Sequence, residues 1–519
     1  MMKNKLLVLI AAILFFISNP NPIFHNGLGF LGFFIYLPIL LCVHRANLKN
    51  IFIDGGLYGA FSYGIYAYWL FAYEPLGLLI VCVCYFFIMM AVFAGLKVID
   101  VLFEKNGWIV QLFFICGYEY LKTLGFFGMG YGVTAYTQWK FLQLIQISQI
   151  VGVFGLNLIV IFPSAFLYCL MIKDYVRGKN TYIVGSIWCI LFLLSIFYGN
   201  QKIKHTHFDN YVKIAAIQNN EDPRKNGISE YTKNVRQLIS LSDEALELNP
   251  DIDIIVWPET AVTPSIIYQY YSRKDARRFD LISYLLKYID SKDAVFVIGN
   301  SHEVDTKKTF RDRYNSAFVF EPKVNVIPPN PEIYSKIHLV PFSEDFPMKK
   351  YFPTLYKKFL NGEPQMWEKG TKYKVFTKKG LSFSTPICFE DTFSEGCRQM
   401  VLNGSRCFLN LSNDSWSKSI ACQKQHLAMA VFRSVENRVP SVRSTSSGQT
   451  CVIDVNGKII VEIPAFCCLY TSALVPIIDS CYKATLFTKF GDIAGVFEVL
   501  LTVVILIIQL IRTIIMKYE

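Results

Sequence analysis

The chain has 519 residues, of which 53% are hydrophobic and only 18% are charged, and its formal net charge is +11. Soluble globular proteins usually carry about a quarter charged residues, so this composition excludes an ordinary soluble protein. Nucleic-acid binding is not predicted either, because no Lys/Arg cluster is interleaved with base-stacking aromatics and no nucleic-acid motif occurs.

Apolar residues are concentrated before residue 200 and near the C-terminus. A helix needs about 20 mainly apolar residues to cross a bilayer. Seven such segments lie at 5–22, 27–43, 52–72, 77–99, 107–126, 152–172 and 181–199, and an eighth lies at 493–513. We therefore expect a seven-span membrane domain over 1–200 and a C-terminal transmembrane helix over 490–515, about eight helices in all.

The charges of the connecting loops predict the orientation of these spans. Positive residues fall before the first span and after the second, fourth and sixth spans: Lys3, Lys5, Arg45, Lys49, Lys97, Lys105, Lys173, Arg177 and Lys179. Loops rich in Lys and Arg remain in the cytoplasm. The N-terminus is therefore expected in the cytoplasm, and seven spans deliver residues 211–475 to the outer face. The loop after the fifth span, with Lys122 and Lys140, departs from the pattern.

Residues 211–475 have the pattern of a water-facing α/β domain. Strands are predicted at 211–218, 253–259, 294–304, 315–322, 381–390 and 406–414, and a hairpin that turns at Asn456-Gly457 is predicted at 450–464. Helices are predicted at 228–248, 275–289 and 423–438. This alternation favours buried sheets covered by helices. Residues 345–373 mix aromatics, lysines and prolines without a period. Such a long irregular stretch is usually functional, and a solvated surface excursion is the alternative.

Three short segments of this domain carry residues suited to acyl transfer. Glu259 ends an apolar strand, Lys336 precedes an apolar run and Cys388 lies in TPICFED. Taken singly, each residue has an ordinary explanation as a solvated acid, a surface lysine or an inert core thiol. Together they supply a base, a fixed cation and a nucleophile, which is the minimum set for acyl transfer through a thioester. The other cysteines show no CxxC or Cys/His zinc spacing, so neither a metal nor a cofactor is expected.

The order of these segments resembles the nitrilase (carbon–nitrogen hydrolase) superfamily. LNLSNDSW at 409–416 and VRSTSSGQTCVIDVNGKI at 442–459 resemble that superfamily as well. The resemblance implies an αββα sandwich in which Glu259 is the base, Lys336 stabilises the oxyanion and Cys388 is the nucleophile.

A narrower resemblance includes the membrane spans. HLVPFSEDFP at 338–347 and QISQIVGVFGLNL at 146–158 are similar to segments of the apolipoprotein N-acyltransferase family, although Ser343 stands where that family commonly has Gly. This likeness implies a bacterial inner-membrane enzyme with a periplasmic catalytic domain. It would transfer an acyl chain from a phospholipid to the N-terminal amine of a diacylglyceryl-cysteine lipoprotein. It also implies that the Phe389 N–H helps to hold the oxyanion and that Glu344 and Glu390 orient Lys336 or the amine.

Two alternatives remain open from the residues alone. A membrane-tethered amidase or nitrile hydrolase needs the same three residues, but a single helix would suffice as its anchor. A transporter or scaffold with an inactive soluble domain conflicts with the complete Glu–Lys–Cys set and with spans that carry few ionisable residues. The sequence does not determine the phospholipid headgroup, the disulfides or the oligomeric state.

Overall fold

The computed structural model describes residues 2–103, 106–126, 128–172, 178–206, 208–222, 226–305, 311–346, 349–360, 365–479 and 482–518. The loop charges Lys105, Lys173 and Arg177 lie outside these ranges, as does part of the irregular stretch 345–373. The chain divides into two units. The first comprises Met1–Thr206, Ser417–Glu436 and Thr485–Glu519, and the second comprises His207–Trp416 and Asn437–Ala484.

The first unit is built from helices. In chain order the helices of the protein are α1 (Met2–Ser18), α2 (Tyr36–Arg45), α3 (Leu48–Tyr66), α4 (Leu70–Tyr73), α5 (Pro75–Leu102), α6 (Gly107–Leu121), α7 (Leu142–Ile145), α8 (Ser148–Met171), α9 (Lys179–Lys204), α10 (Ile228–Leu248), α11 (Ile266–Ser272), α12 (Ala276–Asp290), α13 (Pro353–Phe359), α14 (Ser394–Leu402), α15 (Ile420–Asn437), α16 (Leu486–Phe490) and α17 (Ile493–Tyr518). Helices α10 to α14 belong to the second unit.

Each of the eight predicted spans overlaps a helix, but the helices differ in length. Among the described residues, α5, α8, α9 and α17 are long and apolar enough to cross a membrane. The second predicted span is divided between a 3-10 turn at Gly29–Phe34 and the 10-residue α2, and α6 has only 15 residues. Four spans are therefore supported, and the count of eight remains a prediction.

A buried glutamate in α6 joins several parts of the first unit. Glu119 is 1% exposed. Its Oε1 accepts hydrogen bonds from the Tyr36 hydroxyl at 2.5 Å and the Thr134 hydroxyl at 2.6 Å. Its Oε2 accepts from the Thr134 N–H at 2.8 Å and from Asn157 Nδ2 at 2.7 Å. One carboxylate thus links α6 to α2, to α8 and to the segment that connects α6 with α7.

Helix α15 belongs to the first unit although it connects two strands of the second. Nearly all of its residues are buried. The Trp69 indole N–H donates to Gln425 Oε1 at 3.0 Å, and the Val153 N–H donates to Glu436 Oε1 at 3.1 Å. Polar groups that leave water need such partners. The helix predicted at 423–438 is confirmed as α15, and its buried polar side chains bond to residues of the first unit.

Two sheets face each other in the second unit. The strands are β1 (Tyr211–Gln218), β2 (Ile254–Val256), β3 (Val295–Val304), β4 (Asp312–Phe320), β5 (Glu332–Ser335), β6 (Phe376–Lys378), β7 (Leu381–Phe383), β8 (Phe408–Ser412), β9 (Ser441–Thr445), β10 (Cys451–Ile453), β11 (Ile459–Glu462) and β12 (Leu469–Pro476). One sheet has the order β12-β1-β2-β3-β4-β5, and the other has the order β11-β10-β9-β8. Strands β6 and β7 form a separate pair.

Side chains that alternate in direction along the strands form two separate hydrophobic cores. Ile214 of β1 packs in the core between the sheets, together with Leu409 of β8. Its neighbour Ala215 points to the opposite side, where it packs with Leu238 of α10 and Leu285 of α12. Successive side chains of a strand point to opposite faces, so an apolar strand buried on both sides needs both cores. Helix, sheet and sheet are thus three successive layers of this unit.

Several boundaries differ from the sequence-based prediction for a physical reason. Strand β1 and helix α10 have the predicted bounds. The strand predicted at 381–390 is wrong beyond Phe383, because Pro386 has no N–H to continue a ladder and a turn begins at Cys388. Single bridges at Ser384 and Ile387 keep the intervening chain beside β8. Strands β5, β6, β9 and β12 were not predicted.

The Glu119 contacts lead to a stability prediction. Glu119→Gln should lower the thermal midpoint of the purified protein in detergent by several degrees, because the amide nitrogen would face donors that now bond to a carboxylate. The expected cost is about 2 kcal/mol. Differential scanning fluorimetry provides the measurement, and Glu74→Gln, at an exposed helix start, is the control. Equal midpoints for the two variants would contradict the linking role of Glu119.

Candidate active site

Strand β2 leads directly to Glu259. The Trp257 N–H, just after the strand, donates to the Val297 carbonyl of β3 at 2.9 Å. Gly299 of β3 lies so close that a Cβ atom on it would sit 2.3 Å from the Pro258 oxygen and 2.7 Å from the Glu259 Cα. A side chain there would displace the backbone, so the glycine allows β3 to fix Glu259. The Glu259 side chain is buried.

Lys336 follows the last residue of β5, and backbone bonds hold it on both sides. Its N–H donates to the Asn315 carbonyl of β4 at 2.8 Å, and its carbonyl accepts from the Gly370 N–H at 2.7 Å. A Cβ atom on Gly370 would lie 2.0 Å from the Ser335 oxygen. The lysine side chain is 1% exposed. A buried ammonium of this kind requires anionic partners.

Cys388 begins a 3-10 turn that ends at Thr392. Its φ of +49° places a non-glycine residue in the left-handed region, which is strained backbone. Asn410 Nδ2 of β8 steadies this turn by donating to the Pro386 carbonyl at 3.1 Å and to the Cys388 carbonyl at 3.4 Å. Asp391 of the same turn pairs with the buried Arg443 of β9. Residues of the second sheet thereby fix the turn that begins with Cys388.

The structure brings Glu259, Lys336, Cys388 and Glu344 together. Lys336 Nζ lies 3.3 Å from Glu259 Oε1, and it lies 2.9 Å and 2.8 Å from the two oxygens of Glu344. The Cys388 thiol lies close enough to Glu259 and Lys336 for both charges to act on it. One ammonium is therefore shared by two carboxylates, and the thiol adjoins one of them.

Burial and charge set the proton affinities of these groups. Burial raises the pKa of Glu259, Lys336 lowers it and Glu344 raises it again, so Glu259 is a stronger base than an ordinary carboxylate. Burial lowers the pKa of Lys336, but Glu344 and Glu259 raise it above the usual value, so the ammonium stays charged. Burial and Glu259 raise the pKa of the Cys388 thiol. Cys388 is therefore a thiol beside a carboxylate that is able to take its proton.

Glu390 accepts hydrogen bonds from backbone N–H groups and from one tyrosine hydroxyl, and not from the Lys336 side chain. Its carboxylate accepts from the Tyr334 hydroxyl at 2.8 Å, from the Ile337 N–H at 2.7 Å and from the Ile387 N–H at 2.8 Å. Burial raises the pKa of Glu390, and the two N–H donors oppose that rise. Glu390 thus ties the chain after Lys336 to the chain before Cys388. The expectation that Glu390 orients Lys336 or the amine stays a prediction, and the bond to the Ile337 N–H is one way in which Glu390 could act on Lys336.

The 3-10 turn at Cys388–Thr392, called the nucleophile turn below, also contains Phe389. Its backbone N–H is the first donor after Cys388, and its ring meets Phe393 edge-on with 4.8 Å between centroids. Asn315, Tyr334 and Arg443 were not assigned roles from the sequence. A polar residue opening the apolar run NSAFVF was the available signal for Asn315. Within the described part of the chain, no group of three or more His, Cys, Asp or Glu side chains is arranged to hold a metal ion.

Known proteins resemble this chain over almost its whole length. Residues 213–467 match the carbon-nitrogen hydrolase family, and residues 11–166 match the apolipoprotein N-acyltransferase N-terminal domain. Apolipoprotein N-acyltransferase 1 of Treponema denticola is 37% identical over 99% of this chain and 97% of its own length. The protein of the same name from Treponema pallidum is 37% identical over 97% of this chain and 94% of its own length. Apolipoprotein N-acyltransferase of Borreliella burgdorferi is 29% identical over 95% of this chain and 93% of its own length.

The shared ammonium leads to a prediction about pH. Because Glu344 raises the pKa of Glu259, Glu344→Gln should lower that pKa and move the acidic limb of the acylation rate of Cys388 to lower pH. The weaker base should also reduce the plateau rate about 10-fold. Single-turnover release of p-nitrophenol from a p-nitrophenyl ester measures both quantities.

Glu395→Gln is the control for this experiment, since Glu395 is largely exposed and pairs with Arg398 in α14. It should leave the profile unchanged. An acidic limb that stays in place or moves upward in Glu344→Gln would refute the role assigned to Glu344.

Proposed function

Since the chain belongs to the apolipoprotein N-acyltransferase family, we propose that it transfers an acyl chain from a membrane phospholipid to the N-terminal amine of a diacylglyceryl-cysteine lipoprotein. The supporting observation is that a thiol, a basic carboxylate and a fixed ammonium lie close together in a buried site. These are the groups needed to form a thioester and then to pass its acyl chain to an amine. The reaction follows a ping-pong order with Cys388 as the acyl carrier.

The first half-reaction acylates the enzyme. Glu259 takes the thiol proton while the sulfur of Cys388 attacks the sn-1 ester carbonyl of the phospholipid. The carbon–sulfur bond forms, and the carbonyl oxygen becomes an oxyanion held by the Lys336 ammonium and the Phe389 N–H. As the intermediate collapses, the ester carbon–oxygen bond breaks. The departing alkoxide receives the proton from Glu259, and the lysophospholipid leaves.

The second half-reaction transfers the acyl chain. The neutral amine of the lipoprotein attacks the thioester carbonyl, a carbon–nitrogen bond forms and the same groups hold the oxyanion. Glu259 accepts a proton from the nitrogen as the carbon–sulfur bond breaks. The thiolate then recovers that proton from Glu259, which restores the starting enzyme. Lys336 stays charged throughout because Glu344 and Glu259 raise its pKa.

The proposed location is the bacterial inner membrane. Residues 1–200 would form seven spans with a cytoplasmic N-terminus, residues 211–475 a periplasmic catalytic domain, and residues 490–515 a returning span. The loop charges and the four long apolar helices support this arrangement. Both substrates are lipids, so a membrane-mounted thiol meets them at high local concentration.

A thioester should be detectable as a gain in mass. After incubation with a diacyl phospholipid, the purified wild-type protein should gain one acyl chain that hydroxylamine removes. Cys388→Ala should gain none, whereas Cys397→Ala, which removes a buried thiol of the same unit, should behave like wild type. Intact-mass spectrometry makes the comparison.

Other outcomes of that experiment have defined meanings. An adduct that persists in Cys388→Ala would exclude Cys388 as the carrier. Hydrolysis of small amides without an adduct from lipid would favour a membrane-tethered amidase. Neither an adduct nor hydrolysis would point away from catalysis.

The proposed orientation can be tested with reporter fusions in a Gram-negative host. Alkaline phosphatase, which is active only in the periplasm, should be active when fused after Asn210 and inactive when fused after Glu519. A fluorescent protein that folds only in the cytoplasm should give the opposite pattern at the same two positions. The reverse result for both reporters would overturn the orientation.

A further inference from the structure

We propose that Asn315 is a positioning residue of the transfer step, which holds Glu259 in place with its amide N–H and receives an N–H of the attacking acceptor amine on its carbonyl oxygen. The inference rests on the proposed acyl transfer and adds a residue to it.

The contacts of Asn315 lie at the centre of the site. Its Nδ2 donates to Glu259 Oε1 at 2.7 Å and to Glu344 Oε1 at 3.2 Å. Its backbone carbonyl receives the Lys336 N–H at 2.8 Å. A single residue of β4 therefore touches the base, the second carboxylate and the chain that carries the ammonium. Its side chain is buried at 3% exposure.

The carbonyl end of the same amide has a different environment. Because Nδ2 faces two carboxylates, the oxygen is fixed on the other side of the group. Among the described residues, Oδ1 of Asn315 is a buried atom that receives no hydrogen bond. Buried polar atoms are nearly always satisfied, so an exception in a catalytic site needs an explanation, and a partner that arrives with the substrate is one.

The chemistry of the second half-reaction supplies such a partner. A primary amine attacking a thioester presents two N–H groups. Glu259 takes the proton of one, and an acceptor next to Glu259 can orient the other so that the nitrogen lone pair faces the carbonyl. Asn315 Oδ1 belongs to an amide already bonded to Glu259, so it is adjacent to the base. Attack by water on the thioester has fewer constraints on its direction of approach, so hydrolysis depends less on this second acceptor.

The charged surroundings of Glu259 are defined by three groups. Lys336 lies after β5, Glu344 lies in the loop that follows, and the Cys388 thiol lies on the nucleophile turn. The Asn315 N–H favours the ionised carboxylate and so lowers the pKa of Glu259. Removing it should raise that pKa, which is the opposite of the change expected for Glu344→Gln. A residue that acted only on folding would not move the pKa.

The experiment compares Asn315→Leu and Asn315→Ala with wild type in three assays. The first is the pH dependence of Cys388 acylation by a p-nitrophenyl ester, whose acidic limb should move to higher pH. The second is transfer from the isolated acyl-enzyme to a diacylglyceryl-cysteine peptide, which should slow about 10- to 100-fold. The third is loss of the acyl group to water, which should slow much less. Asn315→Ala leaves room for solvent and covers the case in which the leucine variant does not fold.

Asn300→Leu is the matched control. Asn300 is an equally buried asparagine of β3, and it bonds only to backbone: to the carbonyls of Val262 and Pro264 and to the Ile266 N–H. Its loss should lower the thermal midpoint without moving the acidic limb or the ratio of transfer to amine over transfer to water.

The possible failures are distinct. An unchanged ratio and an unchanged acidic limb in Asn315→Ala would overturn the role of Asn315. Parallel changes in the Asn300 and Asn315 variants would do the same, since they would reveal a structural effect. Absence of a lipid-derived thioester in the wild type would instead reject the proposed function, and the ester assay would still test whether Asn315 acts on Glu259.

Discussion

The arrangement of the candidate site in the second unit depends on one buried ammonium, that of Lys336, which is shared by two carboxylates. Taking Lys336, Glu259 and Glu344 out of water costs several kcal/mol per ion, and this cost is offset only when the geometry is tight and the remaining oxygens are bonded. The Asn315 amide and the Val340 N–H, which reaches Glu344 at 2.8 Å, supply those bonds. The site holds two carboxylates for one ammonium, and burial together with the second carboxylate raises the pKa of Glu259, which favours transfer of a thiol proton to it.

The fold delivers these groups from separate elements that meet at one place. Strand β2 ends before Glu259, β5 ends before Lys336, and β8 steadies the turn that carries Cys388. Glu390 bonds the backbone beside both Lys336 and Cys388, so the two sheets cannot shift without disturbing the nucleophile and the cation together. Such support from strand ends and fixed backbone gives a catalytic group its required precision.

The sequence was informative where chemistry and pattern coincided. Glu259, Lys336 and Cys388 each adjoin an apolar run, and their combined chemical types predicted the candidate site. Only Glu259 was placed at the end of a predicted strand, because β5 was not predicted and Cys388 was expected inside a strand. Asn315 was missed because a polar residue that opens an apolar run is a weak signal, and the role proposed for it depends on contacts with residues far along the chain. The unpredicted strand β5 has four residues and a mixed pattern. The apolar segments were found, yet apolarity alone did not give the length of each helix.

Helix α15 has a consequence for how this protein can change over evolution. Adjacent parallel strands β8 and β9 are connected through α15, whose Gln425 and Arg433 bond to Trp69 and Tyr136 of the helical unit. A continuous gene fragment over residues 207–484 would encode this connecting helix without the side chains that bury it. The helical and catalytic parts are therefore expected to be inherited together, and recombination between relatives would have to exchange α15 with the helices that surround it.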